Sequence, residues 1–124
     1  MSRLNDDLNV LSMGYTLSLS DDLKWVTVHD FKLPPGYNLG YTDILMETPS
    51  DYPFSPPGVG VRVYLNPDLH FRGRKLADLH ARVTPGWGNW AWFCYEWINW
   101  DPNNDDLVKF MEMIRTDLTN PNTE

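Results

Sequence analysis

The sequence of 124 residues predicts an α+β fold: an antiparallel four-stranded meander flanked by helices. Three observations predict it. Four segments alternate apolar and polar residues at period two, turn-forming residues separate them, and an amphipathic helical stripe stands at each end. Consecutive strands joined by short connections pair antiparallel, because a parallel crossover needs a dozen or more residues. Helices at the two ends then cover one face of the sheet. Residues 1–124 read as a single domain, with neither an internal repeat nor a linker. At 14.4 kDa it is large enough to bury a core without staples.

From Ser2 to Leu11, Leu4, Leu8 and Leu11 fall at i, i+4 and i+7, a short amphipathic helix. Tyr15, Leu17 and Leu19 then alternate with Thr16, Ser18 and Ser20, the first strand, and Ser20-Asp21-Asp22 supplies turn chemistry. Trp25 to Phe31 is the second strand, with Val26 and Val28 on one face and Trp25, Thr27 and His29 on the other. Leu33-Pro34-Pro35-Gly36-Tyr37-Asn38 ends it, since consecutive prolines donate no ladder hydrogen bonds. Thr42 to Thr48 forms the third strand, and Gly60 to Leu65 the fourth with Val61, Val63 and Leu65 in register. Between them, Tyr52-Pro53-Phe54-Ser55-Pro56-Pro57 reads as a rigid turn with Tyr52 and Phe54 docked into the core. The last segment, Asp105 to Leu118, is the clearest helix. Asn103 or Asn104 can cap it, Asp105 and Asp106 suit its positive end, and Leu107, Phe110, Met111, Ile114 and Leu118 form one apolar stripe.

Composition removes several classes of function. A hydrophobic fraction of 42% argues against disorder. A net charge of -7 disfavours nucleic acid and anionic membrane surfaces, and suits a partner with a basic face. One cysteine makes no intrachain disulfide, so nothing in the sequence calls for an oxidising compartment. The first residues lack the apolar run of a signal peptide, and no segment approaches the ~20 apolar residues of a membrane helix. The expectation is a cytoplasmic protein. Three histidines, His29, His70 and His80, and one cysteine show no zinc spacing, so no metal is expected.

Chemistry centres on Cys94. A cysteine between Phe93 and Tyr95 is, on its neighbours alone, a small buried hydrophobe. Gly86-Trp87-Gly88-Asn89-Trp90-Ala91-Trp92-Phe93, just before it, reads as an aromatic cover on the core, with one or two rings walling a cleft at Cys94. Arg72-Gly73-Arg74-Lys75 and Arg82 form one basic loop, read first as a solvated loop and otherwise as one that steers an acidic patch on a partner, and too small for nucleic acid. Gly58-Val59-Gly60 lacks the lysine and following helix of a phosphate loop.

Tyr52-Pro53-Phe54-Ser55-Pro56-Pro57, then Cys94, then Trp100-Asp101-Pro102 and a helix, in this order, resemble the ubiquitin-conjugating enzyme superfamily. Trp92-Phe93-Cys94-Tyr95-Glu96 with Trp100-Asp101-Pro102 and Asp105-Asp106-Leu107 is similar to its bacterial branch, prokaryotic family E. The resemblance implies a ubiquitin-conjugating-enzyme-like core and a transferase activity. A ubiquitin-like carboxy terminus passes from an activating enzyme to Cys94 as a thioester, and then to an acceptor. A metalloprotease from the same operon is a further implied partner. The thiol suits this task, because thiolate is partly present near neutral pH at a reference pKa of about 8.5. The sequence departs from the family in lacking His-Pro-Asn ahead of the cysteine. His80 and Asn89 are the nearest candidates for supporting roles, with His80 weighed as a structural hydrogen-bonding residue. Two other readings stay open: a noncatalytic module of this fold that binds a ubiquitin-like protein, and an unrelated tryptophan-rich β-domain that binds sugar or peptide.

Overall fold

The computed structural model describes residues 3–59, 62–83, 89–95 and 99–124, the side chains of 81–83 and 89 excepted. Gly60, Val61, Gly86, Trp87, Gly88 and Glu96, and the side chains of Arg82 and Asn89, therefore lie outside the described residues. Among the described residues the fold is α+β, with an antiparallel sheet of six strands, a separate two-stranded hairpin and two helices.

Helix α1 spans Arg3–Leu11 and is followed by strands β1 (Thr16–Leu19), β2 (Trp25–Lys32), β3 (Tyr41–Glu47) and β4 (Arg62–Leu65). These four are the meander that the alternation predicts, each hydrogen-bonded to the next. The sheet then extends further than expected. A short hairpin, β5 (His70–Phe71) and β6 (Arg74–Lys75), precedes β7 (Leu79–Val83) and β8 (Asn89–Cys94), and the main sheet runs β1-β2-β3-β4-β8-β7. The four-stranded expectation is thus corrected to six. Residues 79–94 escaped because aromatic and apolar side chains occupy both faces of β8, which hides its period-two signal. The basic loop is corrected too: Arg72 and Gly73 turn the β5–β6 hairpin, Arg74 and Lys75 form β6, and Arg82 belongs to β7.

Val26, Val28, Ile44, Met46, Val63, Leu65, Ala91 and Phe93 point to one face of the sheet and are buried there. Helix α1 adds Leu8 and Leu11, and α2 (Leu107–Thr119) lays Leu107, Phe110, Met111, Ile114 and Leu118 against the same core. The apolar stripe of α2 is therefore its buried face. Its cap is Asp106 rather than Asn103 or Asn104: extended at φ -142°, Asp106 accepts the Lys109 amide on its carboxylate, at 2.8 Å. A carboxylate there both satisfies an orphan donor and meets the positive helix end.

The turn between β3 and β4 is set by Gly58, whose φ of +80° is disfavoured for any side chain. A Cβ there would stand 2.4 Å from the Arg62 carbonyl oxygen. Upstream, Tyr52 packs against the core as expected. Phe54 does not: it is 76% exposed, because the turn directs it outward.

Candidate functional site

The far face of the sheet, opposite the helices, carries the candidate site residues. Outward residues are Ser18 on β1, Trp25, Thr27 and His29 on β2, Asp43, Leu45 and Glu47 on β3, Arg62 and Tyr64 on β4, Trp90, Trp92 and Cys94 on β8, and Asp78 and His80 toward the β7 edge. The alternation of the registers places them so. Leu45 and Tyr64, direct cross-strand partners, are only 2% and 7% exposed yet lie outside the main core cluster. They form a second, thinner apolar layer, with Trp25 tilted against Tyr64 at 6.2 Å between ring centres.

This corrects the aromatic-cover reading. Ala91, Phe93 and Tyr95 face the core, whereas Trp90 and Trp92 face the other way. Trp92 meets the imidazole of His80 in a stack at 4.3 Å, and the guanidinium of Arg62 lies 5.5 Å from its ring centre. His80 is exposed and two residues past Asp78 on the strand beside Cys94. Asn89 begins β8.

Cys94 ends β8 and is half-buried. Its amide donates to the Asp78 carbonyl at 3.2 Å. On the other side Arg62 of β4 is its direct register partner, which places the two Cβ atoms about 4.5–5.5 Å apart. The Arg62 Nε is buried and has no hydrogen-bond partner among the described residues.

The two motifs on either side of Cys94 in sequence dock onto each other. Trp100 donates its indole N–H to the Pro53 carbonyl at 2.7 Å, tilts against Tyr52, and packs edge-on to Phe110. Tyr95, next to Cys94, donates its hydroxyl to the Pro57 carbonyl at 2.9 Å. Burial pushes the Tyr95 phenol up to about 12. Tyr52 donates to Asp7, and burial with that carboxylate raises its phenol further. Asp7 also takes Arg3 in an ion pair, and Arg3 continues to the carbonyls of Pro102 and Asp105. Helix α1, the proline turn and the Trp-Asp-Pro turn are thereby one connected unit beneath the Cys94 strand end.

A cavity of ≈ 820 Å³ runs along the proline turn between Leu4, Lys24 and Val59, and Cys94 is not part of its lining. Two further cavities open on the outward face, ≈ 370 Å³ over Trp25, His29 and Leu45 and ≈ 460 Å³ beside Asp30, Asp43 and Asp68. Among the described residues no group of three or more His, Cys, Asp or Glu could hold a metal ion, and no helix is long and apolar enough to cross a membrane. No protein-family model matches the chain, and neither a curated protein nor a solved structure does.

Proposed function

We propose that the chain is a bacterial, cytoplasmic conjugating enzyme for a ubiquitin-like protein, with a ubiquitin-conjugating-enzyme-like core and Cys94 as the thioester carrier. The observation that carries this reading is the seating of Trp100 on the Tyr52–Pro53 turn, which joins the two motifs that flank Cys94 in sequence. In the transfer, the Cys94 thiolate attacks the activated carboxy terminus of the ubiquitin-like protein on its activating enzyme. The activating enzyme's thiol leaves, and an amine or second thiol later displaces Cys94. Arg62 is the cross-strand neighbour of Cys94, and its guanidinium lies against the Trp92 ring. His80 stacks on Trp92 and holds the wall of the site. A metalloprotease encoded alongside would reverse the conjugation.

Incubation with an activating enzyme, ATP and the ubiquitin-like protein should give an adduct that thiol reductants cleave. Cys94→Ser should give no adduct or a reductant-resistant oxyester, and Cys94→Ala none. An adduct that survives Cys94→Ala would remove this residue from the mechanism.

One observation favours a second reading, the noncatalytic module. Cys94 sits on a strand within a regular ladder, its amide committed to Asp78, rather than on a loop free to follow a substrate. Binding of the ubiquitin-like protein without any adduct would favour that reading.

A further inference from the structure

Three neighbouring strands place a serine, a histidine and an aspartate in line on the outward face. Ser18 Oγ stands 2.6 Å from His29 Nε2, and His29 Nδ1 stands 3.2 Å from Asp43 Oδ2. In the neutral ring, with Nδ1–H donating to the carboxylate, Nε2 is left to accept from the serine hydroxyl. The other carboxylate oxygen of Asp43 takes the Asp30 amide at 3.0 Å. That amide is turned toward Asp43 by a register shift in β2 between Val28 and Phe31, where Asp30 adopts φ +56°. A non-glycine residue at positive φ is a local cost that the surrounding fold holds in place. Here it serves to anchor the carboxylate from both sides.

The three groups also line one cavity. It has a volume of ≈ 370 Å³ and apolar walls from Leu19, Trp25, Leu45 and Trp90, and Leu45 is 2% exposed. Nucleophile, base and orienting carboxylate in hydrogen-bonded sequence beside an apolar recess are the geometric signature of acyl-transfer chemistry, which recurs on unrelated folds.

We propose that Ser18, His29 and Asp43 form a second site, separate from Cys94, that hydrolyses carboxylic esters of a short apolar acid. Ser18 Oγ bonds to the ester carbonyl carbon as its proton passes to His29 Nε2. Collapse of the tetrahedral species breaks the carbonyl–alkoxy bond, and the alcohol leaves with the proton from His29. A water, deprotonated by His29, then attacks the acyl–Ser18 carbonyl and releases the carboxylic acid, returning the proton to Ser18. Asp43 is a positioning residue: it touches no substrate atom and holds the imidazole. The acyl chain lies in the recess against Leu45 and Trp25, whose size selects small acids.

The full chain is tested with p-nitrophenyl butyrate and with a fluorophosphonate probe. The proposal requires hydrolysis above the buffer rate and a probe adduct mapped to the peptide holding Ser18. Ser18→Ala should lose the adduct and return hydrolysis to the buffer rate, and His29→Ala should slow it roughly 100-fold or more. Asp43→Asn should lower kcat with KM unchanged, the signature of a misaligned base rather than of a damaged pocket. Circular dichroism of each variant checks the fold, which exposed Ser18 does not support. Absence of the adduct, or hydrolysis that Ser18→Ala leaves intact, would overturn the proposal and reduce the three side chains to cross-strand hydrogen bonds. Neither result bears on thioester formation at Cys94.

Discussion

Tyr95 shows how one residue ties the Cys94 strand to the turn beneath it. Its phenol is buried against Phe110, bonded to Pro57, and raised to about 12. The fold therefore holds the proton more tightly than the unfolded chain, where the value is about 10. That contribution is fully present below pH 10 and is lost as pH rises from there through about 12. Urea unfolding across this range should show declining stability, and Tyr95→Phe should flatten the part due to this residue. At neutral pH the same change should cost about 0.5–1.5 kcal/mol for the lost hydrogen bond. An unchanged alkaline slope would show that Tyr95 ionises freely. Cys94 was legible in sequence as the residue to watch; its surroundings were not. Arg62 and Asp78 are distant along the chain and meet Cys94 only through strand register, which no local pattern encodes. Ser18, His29 and Asp43 were hidden for the same reason. Alternation assigns Ser18 and His29 to polar faces, but only the β2–β3 register, which follows Val28↔Ile44, sets His29 across from Asp43.

Among the elements, α2 was the most readable, because a stripe at period 3.6 depends on nothing outside the helix. Phe110 is fully buried, so Phe110→Ala should lower the unfolding free energy by about 3–5 kcal/mol. An unchanged urea midpoint would mean that the helix does not sit on the sheet in this phase. The cap was misread by a few residues: Asn103 and Asn104 have the right chemistry, but their segment is occupied by its own turn around Asp101, whose carboxylate takes the Asn103 amide and the Asn104 side chain. Asp106→Ala should cost about 1 kcal/mol, measured by the same denaturation. Strands β1 to β4 were legible from alternation, whereas β7 and β8 were not. Trp90 and Trp92 lie on the outward layer and Phe93 and Tyr95 on the core, so β8 reads as a continuous apolar run.

For the whole molecule, the connection between the proline turn and the Trp-Asp-Pro turn is the organising contact. Trp100→Phe keeps a ring against Tyr52 and Phe110 but loses the bond to Pro53, and should cost about 0.5–1.5 kcal/mol. A double-mutant cycle of Trp100→Ala with Tyr52→Ala, which removes the ring contact itself, should return a coupling of about 0.5 kcal/mol or more. Strict additivity would mean that the two turns are independent supports. The α+β class followed from the sequence because it is the sum of local periods, while the order β4-β8-β7 is a choice among long-range pairings. The late position of α2 also matters for biosynthesis. While the ribosome is still producing the chain through β8, the inner face of the sheet has only α1 to lie against, since Phe110, Met111, Ile114 and Leu118 have not yet been made. The nascent protein thus presents a bare apolar surface until α2 emerges. Until that helix is made and docks, the inner face stays open to chaperones and to neighbouring nascent chains.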